Sequence, residues 1–343
     1  MKRRNPMISH WLAPLALLFL VLSGCSSPQV VNRFAADTGY KGAVNLPYDR
    51  KLGLDLDVYY PPQASAAPVI VFFYGGRWTL RDKSEFEFVG QALASRGFVT
   101  LIPNVRKYPD VRFPEFVNDA ARALRWARDN AATYGGDPDK LFVMGHSSGA
   151  HIAALLALNE EYLKKVGGSR AWLRGMIGLA GAYDFMPITA PDLRDLFGPV
   201  DRFQYSQPIF YVDGRNPPLL LIHGRNDEVL SVSNTENLAR SVAKAGGPVE
   251  TVIYDSLSHN MVIGALASYL RGRADVLDNI EEFVVRISKQ PRSARRQLDL
   301  RATPLQQDDV DGVEAQPLPT PEPVPDSEPV TPMLLTPVPA SSP

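Results

Sequence analysis

The sequence predicts an α/β fold, a mostly parallel sheet with helices on both faces. Three observations carry that expectation. Between about residues 41 and 290, strand-length apolar runs alternate with helix-length amphipathic ones, the order that a parallel sheet with crossover helices requires. Several of the runs, such as "PVIVFFYGG" and "PPLLLIHG", are apolar throughout, as strands covered on both faces are. Finally, "KLFVMG" runs through His-Ser-Ser-Gly straight into "SGAHIAALLAL", so a serine stands between two glycines where a strand pattern becomes a helix pattern.

In chain order, "LDLDVYY" alternates apolar and polar residues and reads as an early, half-exposed strand. "PVIVFFYGG" is a buried strand, and "DKSEFEFVGQALASRG" a helix closed by Gly97. "FVTLIPN" is a strand. "FPEFVNDAARALRWARDNAATYGG" is a long helix with Phe116, Ala120, Leu124 and Ala127 on one face and a stop at Gly135. "KLFVMG" is a strand ending near Met144, followed by the helix from Gly149. "MIGLAG" and "PPLLLIHG" are strands, and "SVSNTENLARSVAKAGG" is a helix with a serine or asparagine start and a glycine stop. "VETVIYDS" is the last strand and "VLDNIEEFVVRISK" the last helix. No internal repeat interrupts the series.

The 343 residues, 45% of them hydrophobic, suffice for a large core, and a formal net charge of -1 offers no steering toward nucleic acid or another polyanion. The two ends differ from the middle. Lys2, Arg3 and Arg4 precede the apolar stretch "WLAPLALLFLVL" and the box "LSGC", a pattern that suits a signal peptide better than a membrane span. It resembles a bacterial lipoprotein signal, which implies cleavage before Cys25, a lipid on that residue and attachment to a membrane. Ser26, which follows it, favours the outer membrane of the cell envelope by the same resemblance. With Cys25 the single cysteine, no internal disulfide is expected. From residue 291 onward, phrases such as "PLPTPEPVPDSEP" predict an extended, disordered tail, a spacer or a docking segment for a partner that the sequence does not identify.

Ligands of such sheets bind at the carboxyl ends of the strands. Ser147 lies there, on a sharp strand-to-helix turn where Gly145 and Gly149 remove side chains that would clash. The helix N-terminus beside it offers N–H groups and a positive dipole end to a developing oxyanion. A serine nucleophile needs a base and an orienting carboxylate. Of five histidines, His10 lies in the signal, His146 is the variable residue of the turn, His151 sits one helical turn on and reads as packing, and His223 ends a strand. His259, between the last strand and the last helix, is the base by elimination and position. Asp227, in the loop after the preceding strand, is the acid; Asp255 is its rival, in or beside the last strand. Gly75 and Gly76 leave the backbone bare after a buried strand. The N–H groups of Gly76 or Arg77, with that of Ser148, are the expected oxyanion donors. No metal-ligand cluster or cofactor-binding glycine motif stands out.

The phrases "YGGRW", "PNVRKYPDVRFPEFVNDAARAL", "YGGDPDKLFVMGHSSGAH", "GLAGAYDF", "LLLIHGRNDEV" and "SHNMV" together resemble the esterase/lipase superfamily of α/β-hydrolases. The branch is the one that holds hormone-sensitive-lipase-like enzymes, bacterial feruloyl or acetyl esterase-like enzymes and kynurenine formamidases. The resemblance spans about Val44 to Lys289. It implies the order nucleophile, acid, base that Ser147, Asp227 and His259 follow. The family usually reads His-Gly-Gly at the oxyanion loop; here Tyr74 replaces that histidine, and Ser148 stands where alanine is common. The domain plan is then a signal over 1–24, a tether over 25–40, an α/β-hydrolase domain over 41–290 and the proline-rich tail over 291–343. The expected activity is hydrolysis of a small-molecule carboxylic ester through an acyl-enzyme, with an amidase or formamidase on the same three residues, or a non-catalytic scaffold, as alternatives. The interval from Ala182 to Pro217 is too short and too charged in "PDLRDLFGP" to build a long acyl tunnel, so short acyl groups are expected.

Overall fold

The protein is described as a computed structural model over residues 39–291. The segments read as signal, lipidated Cys25 and most of the tether, and the tail beyond Pro291, lie outside the described residues. Eight strands form one sheet in the order β1-β2-β4-β3-β5-β6-β7-β8. They are β1 (Lys41–Asp49), β2 (Leu54–Tyr60), β3 (Ala67–Phe73), β4 (Val99–Pro103), β5 (Gly136–His146), β6 (Leu173–Leu179), β7 (Leu219–Gly224) and β8 (Val249–Tyr254). The pairs β1–β2 and β2–β4 are antiparallel, and every later pair is parallel. This is the mostly parallel α/β sheet that the sequence predicts.

The helices are α1 (Glu87–Ala94), α2 (Glu115–Asn130), α3 (Ser148–Leu158), α4 (Glu161–Lys164), α5 (Pro191–Phe197), α6 (Ser233–Lys244), α7 (His259–Gly264) and α8 (Val276–Lys289). They divide between the two faces of the sheet. Phe116 and Leu124 of α2, most of α3, and Leu238 and Val242 of α6 share one core with Val69, Val71 and Val143. Phe88 and Leu93 of α1 and Ile280 and Phe283 of α8 share the other with Ile70, Phe72 and Phe142. Successive residues of one strand thus feed opposite cores, which is why the central strands are apolar throughout. Phe116, Ala120, Leu124 and Ala127 are all buried, as their spacing requires.

The structure departs from the sequence reading at three places near the first strands and the elbow. β1 is absent from the sequence reading; it is a largely exposed edge strand with an irregular register, and it carries Pro47. "LDLDVYY" is not half-exposed. Asp57 is buried because the ammonium of Lys83 lies 2.8 Å from its carboxylate, and Asn45 Oδ1 accepts from the same ammonium at 2.6 Å. An alternating pattern therefore marks here a strand with an ion pair on its polar side. β5 begins at Gly136, pairs there with Ala67, and continues through His146.

Candidate active site

β5 is central in the sheet, and its carboxyl end presents Ser147 on a tight turn. The Ser147 backbone adopts φ 54° and ψ -122°, a conformation that costs a residue with a side chain about 1–3 kcal/mol. Neighbours on both sides hold it: the Ser147 N–H donates to Leu179 O at 2.9 Å, and Ser147 O accepts from the N–H of Ala150 at 3.0 Å. The flanking glycines are steric necessities. A Cβ on Gly145 would lie 2.2 Å from Gly149 O, and one on Gly149 only 2.0 Å from Phe73 O. The turn feeds into α3, all eleven residues of which are buried.

Ser147, His259 and Asp227 come together from the ends of three different strands. The Ser147 hydroxyl donates to His259 Nε2 at 2.9 Å, and His259 Nδ1–H donates to Asp227 Oδ2 at 2.7 Å. A carboxylate can only accept, so Nδ1 carries the proton and Nε2 presents its lone pair to the serine. His259 opens the short helix α7, which the sequence does not distinguish from a loop. Asp255, the rival acid, is exposed and paired with Arg225, 3.1 Å away.

The Asp227 carboxylate is saturated with donors. Its Oδ1 accepts from the N–H groups of Val229 at 2.9 Å and Leu230 at 2.8 Å, while Oδ2 accepts from His259 and, at 3.0 Å, from His223 Nε2. Burial raises its pKa, but the hydrogen bonds from His223, His259 and Leu230 outweigh burial and hold the carboxyl well below the usual range. His223 orients its ring with Nδ1 on the Thr235 hydroxyl at 2.8 Å. It is thus more than a strand end: it is a second donor to the acid.

His146 has a supporting place too. It is buried, and its Nε2–H donates to the backbone oxygen of His259 at 3.1 Å. Burial and then the neighbouring His259 ring push His146 down to about 3, so it stays neutral. Nothing in the motif distinguishes this residue, because its partner lies 113 positions away.

The loop after β3 reaches the serine at Gly75, where a Cβ would lie 3.0 Å from Ser147 Cβ. The chain then turns through Gly76 at φ 148°, Arg77 at φ 55° and Trp78 at φ 62°. Gly76 O accepts from the N–H groups of Thr79 at 3.0 Å and Leu80 at 2.9 Å. Among the described residues, no acceptor lies on the N–H groups of Gly76, Arg77 or Ser148. The Arg77 guanidinium points outward and pairs with Asp192 of α5 at 2.8 Å. Tyr74, just before the glycines of the loop, is itself anchored: its hydroxyl donates to Asn104 Oδ1 at 2.5 Å and its ring stacks on Phe86 at 5.0 Å. Asn104, which follows β4, in turn donates to Asp82 Oδ2 at 2.8 Å. The sequence gives Asn104 no mark beyond its place at a strand end.

The known proteins similar to this chain include esterases. A match to the BD-FAE family covers residues 56–242, more than half of the chain. The chain is similar to isoprenylcysteine alpha-carbonyl methylesterase of Arabidopsis thaliana, at 27% identity over 65% of this chain and 57% of that protein. It is also similar to the esterase LipQ of Mycobacterium tuberculosis, at 28% identity over 70% of this chain and 61% of that one. In both cases it spans less than two thirds of the relative's length. Among solved structures, esterase 2 of the planctomycete Thermogutta terrifontis, with propionate bound, superposes with a TM-score of 0.60 at 26% identity, over 73% of this chain and 94% of that one. The sheet order, the strained serine at the end of β5 and these likenesses agree: the chain belongs to the BD-FAE family, in the esterase/lipase branch of the α/β-hydrolases.

Proposed function

We propose that the protein is a serine carboxylesterase acting on small esters with short acyl groups. The observation that carries this reading is the hydrogen-bond chain from Ser147 through His259 to Asp227, with the serine strained and half-buried at the end of a central strand. In the reaction, Ser147 Oγ attacks the ester carbonyl carbon and its proton passes to His259 Nε2. The oxyanion that forms is held by the N–H of Ser148 together with that of Gly76 or Arg77. Collapse expels the alkoxide, which takes the proton from His259 Nε2. Water, deprotonated by the same nitrogen, then attacks the acyl carbonyl carbon; the intermediate expels Ser147 Oγ, which takes the proton back from His259 Nε2, and the carboxylic acid leaves. Asp227 keeps the proton on Nδ1 and stabilises the imidazolium throughout.

The short-acyl preference rests on the segment between β6 and β7. Its Phe197 packs on Trp78 of the loop after β3 at 4.9 Å and on Phe185 at 5.4 Å, and Phe203 is buried as well, while Tyr205 and Phe210 face outward. The inward-facing rings fill space that a long acyl groove would need. That the Thermogutta esterase binds propionate is in keeping with this size. A series of p-nitrophenyl esters tests it: kcat/KM is expected to be highest from acetate to butyrate and to fall toward decanoate. Each methylene buried in a true groove adds about 0.8 kcal/mol, so a steady rise with length overturns the short-acyl reading. The Ser147→Ala variant is expected to lose activity on every member of the series.

For location we propose a lipid on Cys25 that tethers the domain to the outer membrane, an idea supported by the "LSGC" box. Cys25→Ser should move the esterase to the soluble fraction with unchanged turnover. A wild-type protein found soluble in the periplasm would contradict the tether.

A further inference from the structure

Trp78 is the third residue in a row of the loop after β3 with positive φ, at 62°, and it directly follows Arg77, a proposed oxyanion donor. A left-handed conformation is unfavourable for arginine and tryptophan, so the turn persists only if its surroundings hold it. The indole supplies the grip. Its Nε1–H donates to His151 Nδ1 at 3.2 Å, and the two rings meet edge to face at 5.1 Å. His151 Nε2–H donates to Ser206 O at 2.8 Å, which fixes the tautomer that leaves Nδ1 as an acceptor. The imidazole is completely buried among Phe113, Phe116, Phe185 and Phe197, where water cannot replace either bond. Burial pushes His151 down to about 4, so the accepting lone pair is present at neutral pH.

His151 lies in the first turn of α3, three residues after Ser148. One ring thereby joins the two halves of the proposed oxyanion hole: the helix start that carries the Ser148 N–H and the loop that carries those of Gly76 and Arg77. We infer that His151 is a positioning residue for the oxyanion hole, acting through Trp78, an inference that rests on the esterase reading above. Its contribution is to the rate of acyl transfer, because the hole meets full negative charge only in the transition state.

Two conservative substitutions separate the two bonds of the ring. Asparagine places Oδ1 near the position of Nδ1 and keeps an acceptor for Trp78; glutamine places its amide N–H₂ near Nε2 and keeps only the bond to Ser206. In H151Q, and in W78F, which lacks the donor, kcat for p-nitrophenyl butyrate is expected to fall about ten- to a hundredfold with KM nearly unchanged. H151N should retain most of the rate. The Ki of butylboronic acid, whose serine adduct presents an oxyanion, should rise in step in H151Q and W78F and stay low in H151N. The Trp78 indole N–H should exchange with solvent faster in H151Q than in H151N, which reads the bond independently of turnover. If H151Q turns over as fast as H151N while S147A is inactive, the positioning role is overturned and the esterase reading stands. Equal loss in H151N and H151Q with an unmoved boronate Ki also overturns it, leaving a packing role. If S147A keeps full activity, both readings fall.

Discussion

Replacing Asp227 by asparagine changes one atom, and the surrounding donors determine where that atom goes. Oδ1 faces the backbone N–H groups of Val229 and Leu230 at 2.9 and 2.8 Å. Those donors are fixed by the turn, so the amide oxygen of the substituted side chain stays with them and its amide nitrogen takes the place of Oδ2. There it meets two imidazoles. His223 can keep its proton on Nε2, because Leu230 O lies 3.1 Å from that nitrogen as a second acceptor. Among the described residues, His259 Nδ1 has Asp227 alone as its acceptor. It must now accept from the new amide, which moves its proton to Nε2, and a protonated Nε2 cannot take the proton of Ser147. A tautomer error of this kind costs a serine triad about 10⁴-fold, or about 5.4 kcal/mol of transition-state stabilisation. Steady-state kcat/KM for p-nitrophenyl acetate, with circular dichroism to check the fold, measures the effect. A D227N protein within about tenfold of wild type would refute the reasoning. D255N is the matched control, since Asp255 is exposed on Arg225, and should leave turnover unchanged.

Gly149→Ala would place a Cβ 2.0 Å from Phe73 O, a backbone atom that cannot swing aside. Either β3 or the elbow must then move, so melting should show a loss of several kcal/mol, and the refolded fraction should be nearly inactive. Lys83→Met strips the partner from buried Asp57 and should destabilise by about 3–5 kcal/mol in urea, and adding Asp57→Leu should recover much of that loss. Acid should weaken the fold through two buried histidines, His146 near 3 and His151 near 4 in the native state. Unfolded, each protonates near 6.5, so the unfolded chain binds more protons below that pH and stability falls as pH falls. From pH 7 to pH 5 the two together should remove about 4 kcal/mol, seen as a lower urea midpoint at constant m. The Asp227 carboxyl, held low, contributes stability that is full above about pH 4 and is lost only below it.

The parts of the fold legible in the sequence are those decided locally. The apolar continuity of "PVIVFF" and "LLLIHG" follows from burial on both faces, and the 3.6-residue spacing of Phe116, Ala120, Leu124 and Ala127 follows from burial on one. Ser147 could be recognised because a tight strand-to-helix turn demands glycine at 145 and 149, a requirement written into five consecutive residues. Asp227 and His259 could be placed because strand ends are visible as strand ends. What was not legible depends on partners distant in the chain. β1, with Pro47 and little apolar periodicity, becomes a strand only by pairing with β2. Asp57 looks solvent-facing until Lys83, 26 residues on, arrives beside it. The supporting histidines follow the same logic. His146 holds a backbone oxygen 113 residues away, and His151 an indole 73 residues away, so neither carries a local signature. Tyr74 could be identified as a departure from the usual histidine, but its anchoring on Asn104 needed β4 alongside β3.

The central claim is that Ser147 becomes covalently acylated, with His259 and Asp227 as its activating pair. Rapid acid quench during turnover of p-nitrophenyl butyrate, followed by peptide mass spectrometry, measures it directly. The account predicts one butyryl group on the peptide that spans Ser147, localised to that hydroxyl, absent in S147A and formed far more slowly in H259A. Acylation of another residue, or undiminished ester hydrolysis by S147A, would contradict it.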